Sequence, residues 1–296
     1  MSQKPYGILN LNKPTGITSR DVVNQVQRLL PRRTKVGHAG TLDPLASGVL
    51  VVCVGPATRL IEQVQRREKS YRGEFLLGRT SPTEDTDGPV TELDTPPVPT
   101  YEELCEAAAK FVGRIQQRPP AFSALKVDGR RAYDRARAGE TVELEPRPVE
   151  VYRLEVVEYD YPRLTLDVTC GSGTYIRSLG RDLAIALGTG AVMSGLVRTA
   201  IGPFRLEEAI SPDDLDRETL ADRLLPALVT VEDLPRVELS EADRVDISHG
   251  RTIRVPDGLP NAEQYVAVSP EGELVALLAV REDRLAPTRV FLQSDI

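Results

Sequence analysis

The sequence has few of the residues that build metal sites, disulfide networks and membrane spans. It contains only three cysteines and two histidines. Cys53, Cys105 and Cys170 lie far apart without metal-ligand spacing, so we expect neither a disulfide scaffold nor a zinc site. No apolar run approaches the roughly 18 residues of a membrane span. The N-terminus lacks the charged and apolar blocks of a signal peptide, which favours a cytoplasmic protein.

The chain has the composition of an ordinary globular protein but an uneven distribution of charge. Its 296 residues carry a net charge of -7, with 41% hydrophobic and 27% charged residues, which predicts one large domain or a large domain with a small appendage. Positive charge is concentrated in residues 1–80, 113–137 and 169–205, whereas residues 206–296 are acidic. The three positive segments could meet and bind a polyanion, or the charges could alternate by chance along solvated faces.

Hydrophobic periodicity predicts alternating strands and helices up to about residue 205 and mainly strands beyond it. Ser19 is a candidate cap for a helix that ends at Pro31. Residues 81–100 are rich in proline, threonine and aspartate, which predicts a long surface loop. The strands are predicted at 6–11, 48–54, 71–77, 149–159 and 163–170, and later helices at 101–112, 175–187 and 211–228. Four short strand-like segments after residue 235 predict a small β-domain.

The segment 37–48 carries the first candidate catalytic group. It reads Gly-His-Ala-Gly-Thr-Leu-Asp-Pro-Leu-Ala-Ser-Gly and contains one carboxylate, Asp43, among apolar neighbours. Asp43 followed by Pro44 could simply be a helix N-cap. Alternatively, Asp43 is a reactive carboxylate that a cation must keep ionised. The most suggestive cation is Arg177, at the start of a predicted helix, although spacing alone cannot establish the pairing.

Six motifs, in order along the chain, resemble those of the bacterial tRNA pseudouridine-55 synthases of the TruB type. The block at 37–48 is the most specific of them. The others are Asn12-Lys13-Pro14-Thr15-Gly16, Lys69-Ser70-Tyr71, Pro119-Pro120-Ala121-Phe122-Ser123-Ala124-Leu125-Lys126, Gly173-Thr174-Tyr175-Ile176-Arg177 and Leu196-Val197-Arg198-Thr199. The resemblance covers residues 6–205 and extends more weakly to the C-terminus.

The resemblance implies an α+β fold and a cofactor-free, metal-free isomerase. The fold would be a mixed, largely antiparallel sheet with flanking helices over residues 1–232, followed by a PUA-like RNA-binding β-domain over 233–296. The enzyme would convert uridine to pseudouridine at position 55 in the T-loop of tRNA, with the target base flipped out of the RNA. The sequence contains no dinucleotide fingerprint, P-loop or metal cluster. Whether the aspartate adds to the sugar C1′ or assists a glycal route stays open.

The resemblance also assigns roles to individual residues, each with a simpler alternative. Asp43 would be the catalytic aspartate, Arg177 its partner, and Tyr71 the stacking platform for the flipped base, with a possible part in proton handling. An isolated tyrosine in a strand is more often packed in the core. Tyr175 and Leu196 would line the pocket. His38 would contact the RNA and Lys13 would lie near the site; the alternatives are a core histidine and a solvated turn lysine.

The remaining implications concern RNA binding. Lys126, Arg130 and Arg131 belong to a basic stretch, 126–137, that would grip phosphates or would otherwise be an exposed helix face. Val197 stands where a second basic residue is expected beside Arg198, so one phosphate contact is missing. The acidity of the C-terminal segment is awkward for an RNA-binding module: either a few of its arginines cluster on one face, or it contributes little.

We expect a monomer that binds the T-arm of tRNA and needs neither a membrane nor a protein partner. A synthase that depends on a guide RNA is one rival, which the short, acidic chain without a basic tail disfavours. A non-catalytic tRNA-binding and refolding protein is the other, which the set of Asp43, Tyr71 and Arg177 disfavours.

Overall fold

Buried apolar strands provide most of the regular structure. The computed structural model describes residues 5–122, 126–127, 130–131, 135 and 144–291. The strands up to residue 131 are β1 (Gly7–Lys13), β2 (Val36–His38), β3 (Ala46–Val54), β4 (Lys69–Leu77), β5 (Arg79–Thr80), β6 (Thr91–Glu92), β7 (Gly113–Gln117), β8 (Lys126–Val127) and β9 (Arg130–Arg131). Those that follow are β10 (Arg147–Asp160), β11 (Arg163–Cys170), β12 (Ala191–Ile201), β13 (Phe204–Arg205), β14 (Arg236–Glu238), β15 (Ile253–Arg254), β16 (Tyr265–Val268), β17 (Leu274–Arg281) and β18 (Arg284–Val290).

Helices flank these strands at a few places. They are α1 (Ser19–Leu29), α2 (Ile61–Arg66), α3 (Tyr101–Ala109), α4 (Ile176–Ala186) and α5 (Glu241–Ser248). The helix predicted at 211–228 is instead two short 3-10 turns, Pro212–Asp214 and Ala227–Val231, separated by irregular chain. Over the residues that the structure describes, no helix is long and apolar enough to cross a membrane.

One mixed sheet organises the body of the molecule, as predicted. Its order is β1-β3-β12-β4-β11-β10-β7, with β2 added to β3 and β13 to β12. Every pairing in it is antiparallel except that of β3 with β12, where Leu196 lies opposite Ala46. β3 is buried along nearly its whole length because both of its faces are covered. The sheet is therefore mixed and largely antiparallel, and α+β describes the fold.

Helix α1 begins one residue earlier than expected, and the difference matters for the site. Thr18, not Ser19, is the cap: its hydroxyl accepts from the Asp21 N–H at 3.1 Å, and the Asp21 carboxylate accepts from the Thr18 N–H at 2.9 Å. Ser19 is buried, and its Oγ donates to the Leu42 carbonyl at 3.0 Å and accepts from the Leu42 N–H at 2.8 Å. The first turn of α1 therefore fastens the chain next to Asp43.

Helix α4 lies unusually close to the sheet because it carries a glycine where it crosses β4. A Cβ atom on Gly180 would lie 2.0 Å from the ring of Phe75, well inside van der Waals contact. Phe75 is buried in a cluster with Leu179 and Leu183 of the same helix. This close packing fixes the start of α4, and hence Arg177, over the middle of the sheet.

The C-terminal unit is a second sheet with the order β14-β16-β17-β18-β15. Four of its strands overlap the four predicted segments, β18 only at its end, and β14 was not predicted. The unit also contains α5, which the prediction of strands alone missed. Ser240 caps α5, accepting from the Asp243 N–H at 3.2 Å. The helix has only eight residues and one fully buried apolar side chain, Ile247. Its apolar periodicity is therefore too weak to read from the sequence.

The two sheets share a hydrophobic core. Phe291, Val266 and Leu277 of the C-terminal unit are fully buried in the same cluster as Ala57 and Leu60 of the body. Polar contacts rim this cluster: the Arg289 guanidinium lies 2.7 Å from the Glu62 carboxylate, and the Gln63 and Gln264 amides lie 2.8 Å apart. The division into residues 1–232 and 233–296 stays a prediction, and these contacts run across it.

Candidate active site

The segment 37–48 leads from β2 through a turn into β3 and presents Asp43 at the start of that strand. No helix follows Asp43; residues 44–45 form a turn, and the Asp43 carbonyl accepts from the Ala46 N–H at 3.0 Å. The N-cap alternative is therefore wrong. The Asp43 side chain is 44% exposed, so its carboxylate is open to a ligand from solvent.

Arg177, from the first turn of α4, pairs with this carboxylate. One guanidinium nitrogen donates to Asp43 Oδ2 at 2.9 Å and to the Phe122 carbonyl at 3.1 Å. The other donates to Asp85 Oδ2 at 3.1 Å and to the Thr83 carbonyl at 2.8 Å. The arginine is 8% exposed. The planar guanidinium thus joins three remote segments and fixes the orientation of the Asp43 carboxylate.

Asp85 is a site residue that the sequence did not indicate. It lies in the segment 81–100, predicted as a surface loop, yet its side chain is buried. Backbone hydrogen bonds tie this part of the loop to β12, among them Met193 N–H to the Glu84 carbonyl at 3.0 Å. Glu84 in turn accepts from the Ser178 hydroxyl at 2.8 Å. A polar run with several carboxylates gave no signal for which one turns inward.

Tyr71 lies on β4, opposite Arg198 on β12 and Val168 on β11. Only 8% of it is exposed, and it belongs to a hydrophobic cluster, as in the core-packed alternative. Burial raises the pKa of Tyr71 above its usual value, and the nearby Arg198 charge opposes that shift only in part. The phenol is therefore protonated at neutral pH, within electrostatic range of Asp43.

Lys13, at the end of β1, is fully buried, so the solvated-turn alternative is wrong. Its ammonium donates to the carbonyls of Pro14 and Ile17 at 2.8 and 2.7 Å. Burial lowers the pKa of Lys13 to about 8, while the charge of Asp43 opposes the shift. The lysine therefore lies near the site and holds the turn that precedes α1 rather than reaching for solvent.

Arg198 is not available to a phosphate, contrary to the sequence-based expectation. It is 1% exposed, and its guanidinium donates to the backbone carbonyls of Val49, Gly40 and Thr41 at 2.8, 3.1 and 3.4 Å. The expectation that a phosphate contact is missing at Val197 stays a prediction. The role of Arg198 in the structure is to anchor the chain just before Asp43 to the edge of β3.

The remaining predicted pocket residues are half-buried around this centre. Leu196 pairs with Gly73 on β4 and packs on the hydrophobic cluster of the body. The Tyr175 ring has the Arg147 guanidinium over it, 5.2 Å from its centroid. His38 lies on β2, and its pKa is lowered by burial and by the charge of Arg20. His38 is therefore neutral at pH 7, and its contact with RNA stays a prediction.

The basic stretch lies mostly outside the described residues. The backbones of Lys126 and Arg131 are paired in the two-residue hairpin β8–β9, next to the pair of Val127 and Arg130. The side chains of Lys126, Arg130 and Arg131 lie outside the described part of the chain. Within that part, no group of three or more histidine, cysteine, aspartate or glutamate residues could hold a metal ion.

Comparison with known proteins places this geometry in a family. Residues 27–176 match the model described as "TruB family pseudouridylate synthase (N terminal domain)", and residues 234–292 match "tRNA Pseudouridine synthase II, C terminal". Among solved structures, a chain of a Cbf5-Nop10-Gar1 complex covers 97% of this chain and 85% of its own length, with a TM-score of 0.76 and 28% identity.

Curated relatives match over almost the whole length of both chains. A "tRNA pseudouridine synthase B" from Paenarthrobacter aurescens (strain TC1) is 42% identical over 96% of this chain and 94% of its own. A protein of the same name from Syntrophomonas wolfei is 40% identical over 97% of this chain and 98% of its own. The one from Xanthomonas oryzae pv. oryzae is 41% identical over 97% and 94%. The chain belongs to the TruB family of pseudouridylate synthases.

Proposed function

We propose that this chain isomerises uridine to pseudouridine at position 55 in the T-loop of tRNA, with Asp43 as the catalytic carboxylate. The observation that carries the proposal is the carboxylate of Asp43, held at 2.9 Å by a buried arginine yet 44% exposed. An oriented, accessible carboxylate is what an isomerisation without redox or phosphoryl chemistry requires. The names of the curated relatives support tRNA as the substrate.

The reaction exchanges one glycosidic bond for another without a net change in atoms. The N1–C1′ bond breaks, the uracil turns in the pocket, and C5 bonds to C1′; the C5 proton is lost and N1 ends protonated. Asp43 either adds to C1′ or assists a glycal route. Arg177 keeps the carboxylate aimed. Tyr71, whose pKa is raised by burial, offers a ring for stacking and a protonated hydroxyl that can donate a hydrogen bond.

The pocket and RNA contacts complete the proposal. The target base lies inside an RNA loop, so it must be flipped out before Asp43 can reach its sugar. His38 contacts the RNA beside the flipped nucleotide, and Tyr175 and Leu196 line the pocket. Lys126, Arg130 and Arg131 grip phosphates. Lys13 holds the turn that precedes α1 through its hydrogen bonds to the Pro14 and Ile17 carbonyls, and so stabilises the chain near the site.

One experiment tests substrate and position together. Purified protein is incubated with an unmodified tRNA transcript, without guide RNA or added protein, and pseudouridine is mapped by nucleotide. We expect one product site, in the T-loop. Product at another position would show that the T-loop assignment is wrong.

The likeness to the Cbf5 chain favours a second candidate, a synthase that works only as a subunit of a protein–RNA complex. The curated tRNA enzymes are more similar in sequence, at 40–42% identity against 28%. Activity of the isolated chain on tRNA would exclude the second candidate, and strict dependence on a guide RNA would establish it.

The role of Asp43 is tested by Asp43→Asn, which keeps the size of the side chain and removes its charge. The variant should bind tRNA normally and form no pseudouridine in a single turnover, because the nucleophile or base is gone. Arg72→Gln is the matched control, since Arg72 is exposed and pairs with Asp167 on the sheet surface. Substantial product from the purified Asp43→Asn protein would remove Asp43 from the mechanism.

A further inference from the structure

Four arginines from two distant parts of the chain line one surface groove of about 730 Å³. Arg28 lies at the C-terminal end of α1, Arg32 and Arg33 follow that helix, and Arg217 comes from the irregular chain between the 3-10 turns Pro212–Asp214 and Ala227–Val231. Among the residues that the structure describes, only Gln27 and Leu30 complete the lining, and no carboxylate belongs to it; these residues form the arginine groove. All four arginines are exposed.

A closed turn fixes the positions of two of them. Arg32 and Arg33 are the central residues between Pro31 and Thr34. The Thr34 N–H and hydroxyl both donate to the Pro31 carbonyl, at 3.1 and 2.8 Å. The Gln27 amide donates to the Thr34 carbonyl at 2.9 Å and ties the turn back to α1. The two guanidinium groups therefore project from an anchored backbone, not from a loose tail.

The fourth arginine is fixed independently. Arg217 donates to the carbonyl of Arg28 at 3.2 Å. Its neighbour Asp216 is turned away into a local cap, where its Oδ1 accepts from the N–H groups of Glu218 and Thr219 at 2.8 and 2.7 Å. Arg217 thus adds a positive charge to the groove, whereas the carboxylate of Asp216 is occupied by hydrogen bonds to its own backbone segment.

Among the described residues, the groove arginines also differ from four arginines of the C-terminal unit in having no carboxylate within ion-pair distance. In that unit, Arg244, Arg251, Arg254 and Arg289 lie 3.8, 3.2, 3.5 and 2.7 Å from a carboxylate. Within the described residues, none of the four groove arginines lies within 4.0 Å of one. Four guanidinium groups around one groove, with no carboxylate in its described lining, repel one another, so an anionic ligand stabilises the arrangement.

The groove lies at a definite distance from the candidate active site. α1 begins at Ser19, which is hydrogen-bonded to Leu42 next to Asp43, and ends at the groove. An 11-residue helix spans about 16 Å. That distance is too long for the flipped nucleotide itself and suits phosphates a few nucleotides away on the same RNA.

We infer that the arginine groove is a phosphate-binding site for the helical stem of the substrate RNA. The inference rests on the proposed function for the identity of that RNA. Guanidinium groups bind phosphate bidentately, and such contacts position an RNA without reading its sequence. Because the groove is remote from Asp43, its contacts stabilise the bound substrate and the transition state equally. They contribute to affinity and to salt dependence, and not to the chemical step.

The test compares two double variants with the same loss of charge. Arg32→Gln/Arg33→Gln alters the groove, and Arg66→Gln/Arg153→Gln removes two exposed arginines that pair with Glu62 and Glu155 on other surfaces. Binding of an unmodified tRNA transcript is measured from 50 to about 300 mM salt in an Asp43→Asn background. KM and kcat are measured with Asp43 intact. Binding is thereby read independently of turnover.

We expect the groove variant to bind tRNA about tenfold more weakly, with a salt slope lower by about one unit for each lost contact. KM should rise by a similar factor with kcat unchanged, and the control should behave as wild type. Arg217→Gln should reproduce part of the effect. Equal binding by groove variant and control, or a fall in kcat with unchanged KM, would overturn the inference. If wild type makes no pseudouridine in tRNA but the binding difference persists, the proposed function fails and the groove does not.

Discussion

The body and the C-terminal unit treat charge in opposite ways. In the body, five charged side chains are buried: Lys13, Lys69, Asp85, Arg177 and Arg198. In the described part of the C-terminal unit, residues 233–291, no charged side chain is buried, although the segment contains many arginine, aspartate and glutamate residues. Burying a charge is costly unless it is paired or hydrogen-bonded.

The body of the fold buries charged side chains mainly around the candidate active site. Four of the five buried charges lie in electrostatic range of Asp43 or bond directly to its surroundings. In the C-terminal unit, charged side chains instead form ion pairs at the surface, and such pairs contribute little to stability. Its contribution to the molecule is apolar, through the shared core. Four predictions test this division of labour.

The largest expected effect is on the shared core. Phe291→Ala should lower the free energy of unfolding of the whole chain by about 3–5 kcal/mol, because a fully buried ring is lost from a cluster that spans both units. Urea unfolding followed by circular dichroism and by activity checks this. Val280→Ala, at an exposed position on β17, is the control and should change stability by less than about 0.5 kcal/mol. Two separate transitions, with activity lost only in the second, would show that the units are independent.

The next effect is on catalysis through Arg198. Arg198→Met leaves the carbonyls of Gly40, Thr41 and Val49 without their donor, so the chain before Asp43 loses its anchor. We expect kcat to fall about 100-fold with KM for tRNA little changed, since a displaced catalytic group has effects of this size. The measurement is made where circular dichroism shows the variant fully folded. Arg198→Lys should recover part of kcat. A rise in KM alone would make Arg198 an RNA-binding residue after all.

Tyr71 gives a smaller effect that separates two roles. Tyr71→Leu removes the ring and should reduce kcat/KM by the equivalent of about 1–3 kcal/mol, the usual contribution of base stacking. Tyr71→Phe keeps the ring and should stay near wild type if stacking is the whole role. Single-turnover rates on tRNA compare the two. A Phe variant as inactive as the Leu variant would show that the hydroxyl takes part in the chemistry.

The smallest effect is on the pH dependence of stability at a buried lysine outside the site. The Lys69 ammonium donates to the Gln65 and Arg67 carbonyls at 2.7 Å, and burial lowers its pKa from 10.5 to about 8. Between pH 8 and 10.5 the unfolded chain therefore binds more protons at this residue than the folded one. Its contribution to stability rises with pH in that window, by at most about 1.4 kcal/mol per pH unit.

Comparing wild type with Lys69→Met isolates this contribution. The difference in urea midpoint between the two proteins should grow in favour of wild type from pH 7.5 to 9.5. Below about pH 7 the difference should be constant, because Lys69 is then protonated in both the folded and the unfolded state. A difference independent of pH throughout would mean that Lys69 keeps an ordinary pKa in the folded protein.

Sequence reasoning predicted what depends on local pattern. Strands β3 and β10 and helix α4 appear within two residues of where the sequence pattern placed them. The residue types suggested the pairing of Asp43 with Arg177 and the family resemblance implied it, but spacing could not establish it, because the two residues lie 134 positions apart. Asp85 and the burial of Lys13 depend on long-range packing that turns a polar loop or a turn lysine inward. Composition points the other way for both, so no local signal could find them.

The long separations within the site also bear on when the protein becomes active. Asp43 meets Arg177 across 134 residues, and Arg198 reaches Val49 across 149. Contacts of such high order form late, after the chain between them is ordered. A nascent chain still lacking β12 has no anchored catalytic segment, whatever helical content it has gained. During refolding, catalytic activity should therefore return only after β12 has paired with β3 and β4. The rate at which activity returns then reports the rate at which the sheet is completed.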